Sequence, residues 1–500
     1  MKDLNSYKIT KYDLKNEIYN LNAEIYDLKN EVSNLNSKIA NLSNQVTTLN
    51  NEKVFYQNNI NNILNSKSWK VTKPLRMISS KFSKKPNNNE LINNEQMLSI
   101  TDDELSIKKI SPDKNFYKNF KPYNSSYQDN IDFSANNTDI KTIAFYLPQY
   151  HTFKENDEWW GRGFMEWTNT KKSLPRFENH YQPRTPHKDI GYYTLDNIET
   201  IKKQVELAKQ HGIYGFCYYY YWFSGKRLME KPGDLFLESS MDFPFCLCWA
   251  NENWTRAWDG LNKDVLIKQE YAKSDYKKFI TDIKKYVTDK RYIKIDGKPV
   301  IMIYNPTEIP NFSELIKNWR KYAKEEGIGE IYIMSKCDLF NQEHKYTEYV
   351  DAEFDFPPQG IGHAAAKITG LPSSKIFNYE QIVNDIEHLY CEHFPLKPFY
   401  YTVTMGWDNS ARRKEGYTIY YNYSLESYYK WLRIIIEETR RRNPLDKRFM
   451  FVNAWNEWAE GTYLEPDEKY GYANINTLSK AIYDLPISYK KNNDKKKKDN

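Results

Sequence analysis

From Lys141 onward, short apolar runs alternate with stretches of helical periodicity, and this alternation limits the fold of most of the chain. Apolar runs bounded by turn residues predict buried strands, and amphipathic stretches between them predict helices. Strands and helices in alternation are typical of parallel α/β folds. The candidate strands are Ile143–Leu147, Tyr214–Tyr220, Phe245–Trp249, Val300–Tyr304, Ile331–Ser335, Tyr349–Phe354, Phe399–Thr404 and Phe449–Asn453.

The segments between several of these strands have the length and periodicity of helices. About eight strands in roughly 345 residues predict a (β/α)₈ TIM-like barrel with insertions. A doubly wound open sheet also alternates, but it needs a Gly-rich phosphate loop after an early strand, and the sequence has none. We therefore predict the α/β class, with the barrel at residues 141–487. The predicted helices are Leu195–His211, Ser274–Thr288, Phe312–Glu326, Tyr379–His388, Ser424–Arg442 and Ile475–Tyr483.

The first 62 residues carry a heptad repeat. Leucines recur every seventh residue from Leu14 to Leu49, and β-branched residues recur every seventh residue from Ile18 to Val46. This combination favours a parallel two-stranded coiled coil. The alternative is a single amphipathic helix lying on the barrel, which would show a wider apolar stripe. We predict a homodimer formed through an N-terminal parallel coiled-coil helix.

Residues 63–140 are predicted to be a basic connector followed by a flexible linker rich in Asn, Lys, Asp and Ser. The piece SKSWKVTKPLR resembles an element found after coiled coils in bacterial surface-polysaccharide glycosyltransferases. Such an element would dock on a membrane surface or on a partner enzyme, and the alternative is a plain connector. Residues 488–500 are predicted to be a disordered basic tail, with contact to an anionic membrane as the alternative.

The composition favours a carbohydrate partner. Aromatic residues make up 16% of the chain, with 42 Tyr and 13 Trp, and aromatic faces stack on the C–H surfaces of sugar rings. Mutational drift in an A- and T-rich genome is the alternative for Tyr, but it does not explain the tryptophans. The net charge is only +6, from 72 basic and 66 acidic residues, so no nucleic acid partner is expected.

The five cysteines are irregularly spaced and predict no disulfide framework, which suits a reducing compartment. Cys246 and Cys248 lack the second pair that a zinc site needs, so we expect them to pack in the core. The N-terminus has no apolar signal segment, and no stretch is apolar enough to span a membrane. We expect a cytoplasmic protein, with peripheral association at the inner face of the membrane as an option.

Polar and aromatic side chains follow almost every predicted strand. Because active sites of (β/α)₈ barrels lie at the carboxyl ends of the strands, these residues predict one large polar cleft lined with indoles. The last strand leads into the segment NAWNEWAEGT, which contains Glu457 and Glu460. In a helical turn this spacing places both carboxyl groups on one side.

Two carboxyl groups that lie close together resist joint ionisation, so one pKa is expected to rise. A protonated carboxyl beside an ionised one provides the acid and the base that glycosidic chemistry needs. The alternative is a solvated helix start with acidic residues at its positive end. The neighbouring Trp455 and Trp458 argue against that alternative, because surface turns seldom carry two tryptophans.

Seven segments resemble the WbsX-type glycosyltransferase family, whose domain is related to glycoside hydrolase family 99. The latter contains retaining endo-α-mannosidases and mannanases on a (β/α)₈ barrel. The resemblance implies that Glu460 is the general acid/base and that Glu457 assists attack by the substrate's own 2-hydroxyl through a 1,2-anhydro sugar. The matching segments are IAFYLPQYH, WWGRGFMEWTN, GFCYYYYWF, CWANENWTRAWDG, FDFPPQG, GWDNSARR and FVNAWNEWAEGTYLEP.

The same resemblance and the strand-end positions give a set of candidate sugar-contacting residues. For His151 a structural hydrogen-bonding role is the alternative, and Glu252 and Asp408 have the alternative of orienting Arg256 and Arg412. No cluster of His, Cys and Asp has metal-ligand spacing, so no metal and no cofactor are predicted. The candidates are Tyr150, His151, Trp222, Trp249, Asn251, Glu252, Trp407, Asp408, Asn456 and Trp458.

Three functions remain open at this point. The first is glycosyl transfer in the biosynthesis of a bacterial surface polysaccharide such as O-antigen or capsule. The second is hydrolysis by an endo-α-mannosidase-like enzyme. The third is a non-catalytic carbohydrate-binding scaffold. The expected cytoplasmic location and the coiled coil favour the first function, and the pair of glutamates argues against the third.

Overall fold

The computed structural model describes residues 123–124 and 126–487, except 178, 257–260, 340–344, 362–366, 369–374, 394 and 414. All of these residues belong to one compact unit, Lys108–Asn500. The predicted coiled coil at residues 1–62, most of the predicted connector and the tail at residues 488–500 lie outside the described residues. They stay predictions.

The described chain forms a nearly closed parallel barrel, as the alternating pattern predicted. Each strand pairs in parallel with its neighbours, and β8 returns to pair with β1. The seventh strand is divided at Tyr401: its first part pairs with β6 and its second part with β8. The barrel strands are β1 (Lys141–Tyr146), β2 (Ile213–Phe223), β3 (Phe245–Trp249), β4 (Lys298–Ile303), β5 (Tyr332–Lys336), β6 (Ala352–Phe354), β7 (Phe399–Tyr400 and Thr402–Thr404) and β8 (Phe449–Asn453).

Helices follow most barrel strands, and all six predicted helices are present. The prediction missed α4, a short helix with a proline in its first turn. It also treated the segment after β1 as a loop, whereas this segment contains α1 and α2. The helices are α1 (Lys154–Trp160), α2 (Glu166–Lys172), α3 (Ile198–Gln210), α4 (Lys231–Glu238), α5 (Asp275–Val287), α6 (Phe312–Glu325), α7 (Tyr379–Glu392), α8 (Leu425–Arg442) and α9 (Ala473–Ile482).

Glycines separate α1 from α2. Gly161 and Gly163 have φ values of 98° and 86°, a backbone region that residues with a side chain rarely adopt. One long helix cannot form across these positions, so the segment folds as two short helices. Both glycines lie in the WWGRGFMEWTN segment.

Shorter elements decorate the barrel. The additional strands are Tyr123–Asn124, Lys226–Leu228, Trp254–Arg256, Leu261–Ile267, Lys294–Ile295, Lys367–Ile368, Lys375–Asn378, Thr418–Tyr421, Tyr423–Ser424, Asn456–Glu457 and Thr462–Tyr463. The 3₁₀ turns are Pro306–Glu308, Thr347–Tyr349, Asn409–Ala411, Leu445–Lys447 and Trp458–Glu460.

Aromatic side chains fill the barrel interior. The ring centroids of Phe145 and Phe451 are 5.5 Å apart, and Phe354 lies 6.1 Å from Phe451. Phe356 and Tyr219 pack on Phe145 at 4.9 and 5.7 Å. This packed layer makes the barrel a solid core rather than a pore, and it forms the floor on which a site at the strand ends rests.

Residues upstream of β1 already pack on the barrel. Phe133 is buried, and its ring stacks on Tyr483 just after α9. The backbone of Gln128 exchanges hydrogen bonds with Tyr470 and Tyr472. Part of the predicted linker therefore packs on the barrel, because a few apolar residues within a polar segment are enough to anchor it.

Cys246 and Cys248 are fully buried on β3, in the core as predicted.

Among the described residues, no helix combines the length and the apolar character needed to cross a bilayer.

Candidate active site

A cavity of about 500 Å³ opens at the carboxyl ends of the barrel strands. Both glutamates of the NEWAE segment line it, together with two arginines and a wall of aromatic rings. The lining residues are Leu147, Gln149, Trp160, Tyr219, Tyr221, Ala250, Glu252, Asn253, Trp254, Leu266, Tyr304, Phe356, Gln359, Arg412, Arg413, Glu457 and Glu460.

A tight turn after β8 brings Glu457 and Glu460 into the same cavity. Glu457 ends a two-residue strand that pairs with Thr462–Tyr463, and Glu460 ends the following 3₁₀ turn. Gly461 closes the turn in the left-handed conformation, with φ 65°. The predicted proximity of the two carboxyl groups is therefore present, but the turn is a 3₁₀ turn within a β-hairpin and not the first turn of an α-helix. In 3₁₀ geometry, side chains three residues apart lie directly above one another.

One guanidinium holds both carboxyl groups. Arg412 Nη2 lies 2.8 Å from Glu457 Oε2, and Nη1 lies 2.6 Å from Glu460 Oε1. A third carboxylate, Glu166 at the start of α2, accepts from Arg412 Nε at 2.8 Å. The side chains of Glu166, Glu457 and Arg412 are 0%, 6% and 12% exposed. We call these four residues, Glu166, Arg412, Glu457 and Glu460, the carboxylate–arginine cluster.

Burial dominates the ionisation of Glu457 and Glu166. Burial, opposed by Arg412 and reinforced by the charges of Glu460 and Glu166, raises the pKa of Glu457 to about 8. Burial also raises the pKa of Glu166, against the effect of Arg412. One guanidinium cannot neutralise three carboxylates, so a proton on Glu457 at neutral pH reduces the excess negative charge.

Aromatic rings form the walls beside the cluster. The ring of Trp254 lies 5.5 Å from that of Tyr221 and 5.6 Å from that of Trp159. Tyr304 donates to Gln359 Oε1 at 2.6 Å on another side of the cavity. Flat rings and fixed amide groups next to carboxyl groups are the combination that binds and orients a sugar.

Glu252 is the one predicted substrate-contacting residue that lines the cavity. The side chain of Asn305 donates to Glu252 Oε1 at 2.9 Å. The adjacent Asn251 is fully buried, and it exchanges two 2.7 Å hydrogen bonds with the backbone of Asn305. Asn251 therefore ties the end of β3 to the end of β4 and leaves Glu252 to face the cavity.

Tyr150, Asn456 and Trp458 support the turn that carries Glu457 and Glu460, and they do not line the cavity. The Tyr150 hydroxyl donates to the backbone carbonyl of Asn456. The Asn456 side chain bonds both the N–H and the carbonyl of Leu147, at 2.8 and 3.0 Å. Trp458 Nε1 donates to the buried Glu465 at 2.7 Å. These residues position the turn.

Trp222, Trp249 and His151 are also buried outside the cavity lining. Trp222 Nε1 donates at 2.6 Å to Asp282, which lies on α5 outside the barrel. Trp249 packs on Phe279 of the same helix, with ring centroids 4.9 Å apart. His151 bonds the carbonyl of Pro148, and burial lowers its pKa. Trp222 and Trp249 therefore pack the barrel against α5, whereas His151 makes a local hydrogen bond in the loop after β1.

Trp407 and Asp408 lie behind Glu460. Both are buried, and the backbone N–H of Asp408 donates to the Glu460 carbonyl at 2.7 Å. Asp408 Oδ2 accepts from His180 and Gln182, each at 2.8 Å. Burial opposes ionisation, but His180 and Arg184 hold the pKa of Asp408 well below its usual range. Asp408 contacts these residues rather than the Arg412 side chain that the sequence suggested, and it braces the turn that carries Glu460.

The sequence did not assign Glu166 or Arg412 to the site, and it also left out several residues of the aromatic wall. Glu166 lies in the insertion after β1, away from any strand end, and its partner Arg412 is 246 residues distant. Its one signal is an acidic residue between apolar neighbours in GFMEWTN. Tyr219, Tyr221 and Tyr304 line the cavity, but they occur in runs of aromatic residues whose orientation the sequence does not specify. In the described part of the chain, no group of three or more His, Cys, Asp or Glu has metal-binding geometry.

Comparison with known proteins gives relatives of the barrel. Residues 142–478 match the model of a family described as "Glycosyltransferase WbsX". Two curated proteins of Xanthomonas campestris pv. campestris, each described as "Uncharacterized protein WxcX", are 37% and 36% identical over 350 residues. The alignment covers 69% of this chain and 50% of each relative, so the chain spans about half the length of the curated relatives it matches.

The solved structures that this chain matches include the GH99 endo-alpha-mannosidase from Bacteroides thetaiotaomicron. That structure is 14% identical, with a TM-score of 0.43, and the match covers 69% of this chain and 96% of the mannosidase. A structure titled "Glycoside hydrolase-like protein" is 13% identical, with a TM-score of 0.48, covering 71% of this chain and 97% of that one. Because the family model matches the barrel from its first strand into its last helix, the chain belongs to the WbsX glycosyltransferase family.

Proposed function

We propose that this protein transfers a glycosyl group during the biosynthesis of a bacterial surface polysaccharide, by a retaining mechanism that uses Glu457 and Glu460. Family membership and the barrel fold indicate a carbohydrate-active enzyme. The observation that carries the proposal is that both carboxyl groups face one aromatic-walled cavity and contact the same guanidinium. Two carboxyl groups that face one cavity can serve as the acid and the base that glycosidic chemistry requires.

In the proposed mechanism, Glu460 donates a proton to the leaving oxygen. Glu457 accepts the proton of the substrate's 2-hydroxyl as that oxygen attacks the anomeric carbon and forms a 1,2-anhydro sugar. An acceptor hydroxyl then attacks the anomeric carbon and opens this intermediate. Glu460 takes the proton of the acceptor hydroxyl, and the protonated Glu457 returns its proton to the 2-oxygen. Glu457 must be ionised to act in this way, and its raised pKa makes that ionisation the pH-dependent step.

Hydrolysis is the second candidate, because the same two carboxyl groups would also activate water. To separate the two, we would incubate the full chain with labelled nucleotide sugars and lipid-linked acceptors, and separately with α-linked manno-oligosaccharides. Label incorporated into the acceptor supports transfer. Release of free reducing ends from the oligosaccharides supports hydrolysis. Binding of glycans without turnover in either assay supports the scaffold alternative and contradicts our proposal.

The partners and the location expected from the sequence belong to the same proposal. We propose that the heptad segment forms a parallel homodimer and that the protein works in the cytoplasm, at the inner face of the membrane. Replacing Leu28 and Leu35 with lysine places charges in the predicted apolar seam. Sedimentation should then show monomers where the parent shows dimers, and cell fractionation of the parent tests the location.

A further inference from the structure

We propose that Glu166 is a positioning residue of this site: it fixes Arg412 in the one orientation in which the guanidinium contacts both Glu457 and Glu460. The inference deepens the proposed function and rests on it, because it explains how the two proposed catalytic carboxyl groups are held. Glu166 was not among the residues that the sequence singled out, and it comes from the insertion after β1.

The contacts of Arg412 divide between the two sides of its guanidinium. Glu166 Oε1 lies 2.8 Å from both Nε and Nη2 and so holds one edge. Nη2 also reaches Glu457, and Nη1 reaches Glu460. A guanidinium is planar, with its N–H groups in a rigid fork, so fixing one edge fixes the direction of the remaining donors.

Glu166 is fixed relative to the turn after β8 that carries Glu457 and Glu460. Its backbone N–H donates to the carbonyl of Gln149, just after β1. The next residue, Trp167, packs its ring on Trp458 with centroids 5.3 Å apart and donates from Nε1 to the carbonyl of Tyr193 at 2.8 Å. The start of α2 and the turn after β8 therefore form one packed unit, and Glu166 cannot move independently of Glu457.

Charge and solvation argue against a purely structural ion pair. Arg412 already has two carboxylate partners without Glu166, so a third adds negative charge that no nearby cation in the cluster balances. The second oxygen of Glu166, Oε2, is buried, and no group among the described residues donates a hydrogen bond to it. Burial of a carboxylate oxygen without a donor is unfavourable, so this oxygen adds to the cost of keeping Glu166 ionised beside two other carboxyl groups.

The charge of Glu166 also acts on the ionisation of Glu457. The groups that influence Glu457 are Arg412, Glu460 and Glu166 within the cluster. The phenols of Tyr150, Tyr219 and Tyr221 also lie within electrostatic range. Burial raises the pKa of each of these phenols, so they are neutral at physiological pH. Removing the charge of Glu166 should therefore ease the ionisation of Glu457.

The main test is the substitution Glu166→Gln in the full chain. Glutamine keeps the shape and one acceptor but removes the charge. We expect kcat to fall at least about tenfold with KM changed less than about threefold, because orientation and not binding is lost. The matched control is Glu353→Gln. Glu353 is another buried glutamate, lies on β6 outside the cluster, and accepts a hydrogen bond from the Thr347 hydroxyl. It should leave kcat near that of the parent.

A second readout needs no substrate. With [¹³Cδ]-glutamate labelling, the Glu457 signal is assigned by its loss in Glu457→Gln, and its titration midpoint is followed by NMR. We expect a lower midpoint in Glu166→Gln than in the parent, and an unchanged midpoint in Glu353→Gln. Glu166→Asp, which keeps the charge but shortens the side chain, should keep the midpoint high while kcat falls.

An unchanged Glu457 midpoint together with an unchanged kcat in Glu166→Gln would overturn the inference. So would an equal loss of kcat in Glu353→Gln, since that result would show a general effect of removing a buried carboxylate. If Glu166→Gln does not fold, Glu166→Asp decides: full kcat in that variant contradicts the positioning role. Failure of the proposed function is distinguishable, because it appears as absent turnover in the parent while the NMR midpoints still shift.

Discussion

Arg412 Nη2 donates to Glu457 Oε2 across 2.8 Å, and neither side chain is more than 12% exposed. This contact joins the loop after β7 to the turn after β8, and through Glu460 and Glu166 it becomes a cluster of three carboxyl groups around one cation. In a buried site such a cation fixes both the positions and the protonation of its partners. The contacts of Arg412 therefore underlie the predictions for stability and for the pH dependence of activity.

Removal of the cation should destabilise the protein. In Arg412→Met three carboxyl groups lose their shared counter-charge; Glu166 and Glu457 are buried, and Glu460 is 21% exposed. Breaking a buried ion pair in this way costs roughly 3–5 kcal/mol. Arg412→Lys should lose less stability because it keeps the positive charge, and it should lose some because an ammonium group lacks the planar fork of a guanidinium. Urea unfolding measures both. The neighbouring Arg413→Met, which lines the cavity outside the cluster, is the control, and an equal loss there would contradict the account.

The stability of the protein should depend on pH through Glu457. Its pKa is raised from 4.5 to about 8 by burial, so between these values the folded state binds a proton that the unfolded state releases. The stabilisation is fully present below pH 4.5 and is lost as the pH rises to about 8. The free energy of unfolding of the parent, relative to Glu457→Gln, should therefore fall by up to about 1.4 kcal/mol per pH unit. Denaturant unfolding at pH 5.5, 7 and 8.5 measures this difference, and a constant difference would contradict the shift.

The pH profile of activity assigns the roles of the two glutamates. If Glu457 acts as the base, kcat/KM has a rising limb with its midpoint near pH 8, since that profile reports the ionisation of the free enzyme. Glu166→Gln should move this limb to lower pH. A profile in which kcat/KM falls through the same region would instead assign proton donation to Glu457, and the proposed division of roles would be wrong.

Gly461 should be difficult to replace. Its φ is +65°, and a Cβ there would lie 2.9 Å from both Arg184 Nη2 and Asp408 Cβ. Gly461→Ala adds this overlap to the backbone strain, for a cost of roughly 1–3 kcal/mol, and should displace Glu460 and lower activity. Gly191→Ala is the matched control, with φ +59° and nothing within 4 Å. Equal losses of stability in thermal unfolding would show that strain alone matters.

The barrel could be predicted from the sequence because each strand is a short apolar run and each helix an amphipathic stretch. The candidate site was predictable only in part. Position after a strand does not specify which way a side chain turns, so Trp222 and Trp249 were assigned to substrate, whereas the structure packs them against α5. Glu166 was missed because its role depends on a partner 246 residues away, and no local pattern records such a contact.

The central claim is that Glu460 performs chemistry in this cavity, and genetic complementation tests it most directly. In a host strain that lacks this gene, the surface polysaccharide is measured after expression of the parent, of Glu460→Gln and of Glu437→Gln, an exposed glutamate on α8. General acid/base catalysis contributes about 10²–10⁴-fold. We therefore expect the parent and Glu437→Gln to restore the polysaccharide, and Glu460→Gln, at equal protein level and thermal stability, to fail. Full restoration by Glu460→Gln would contradict the catalytic assignment.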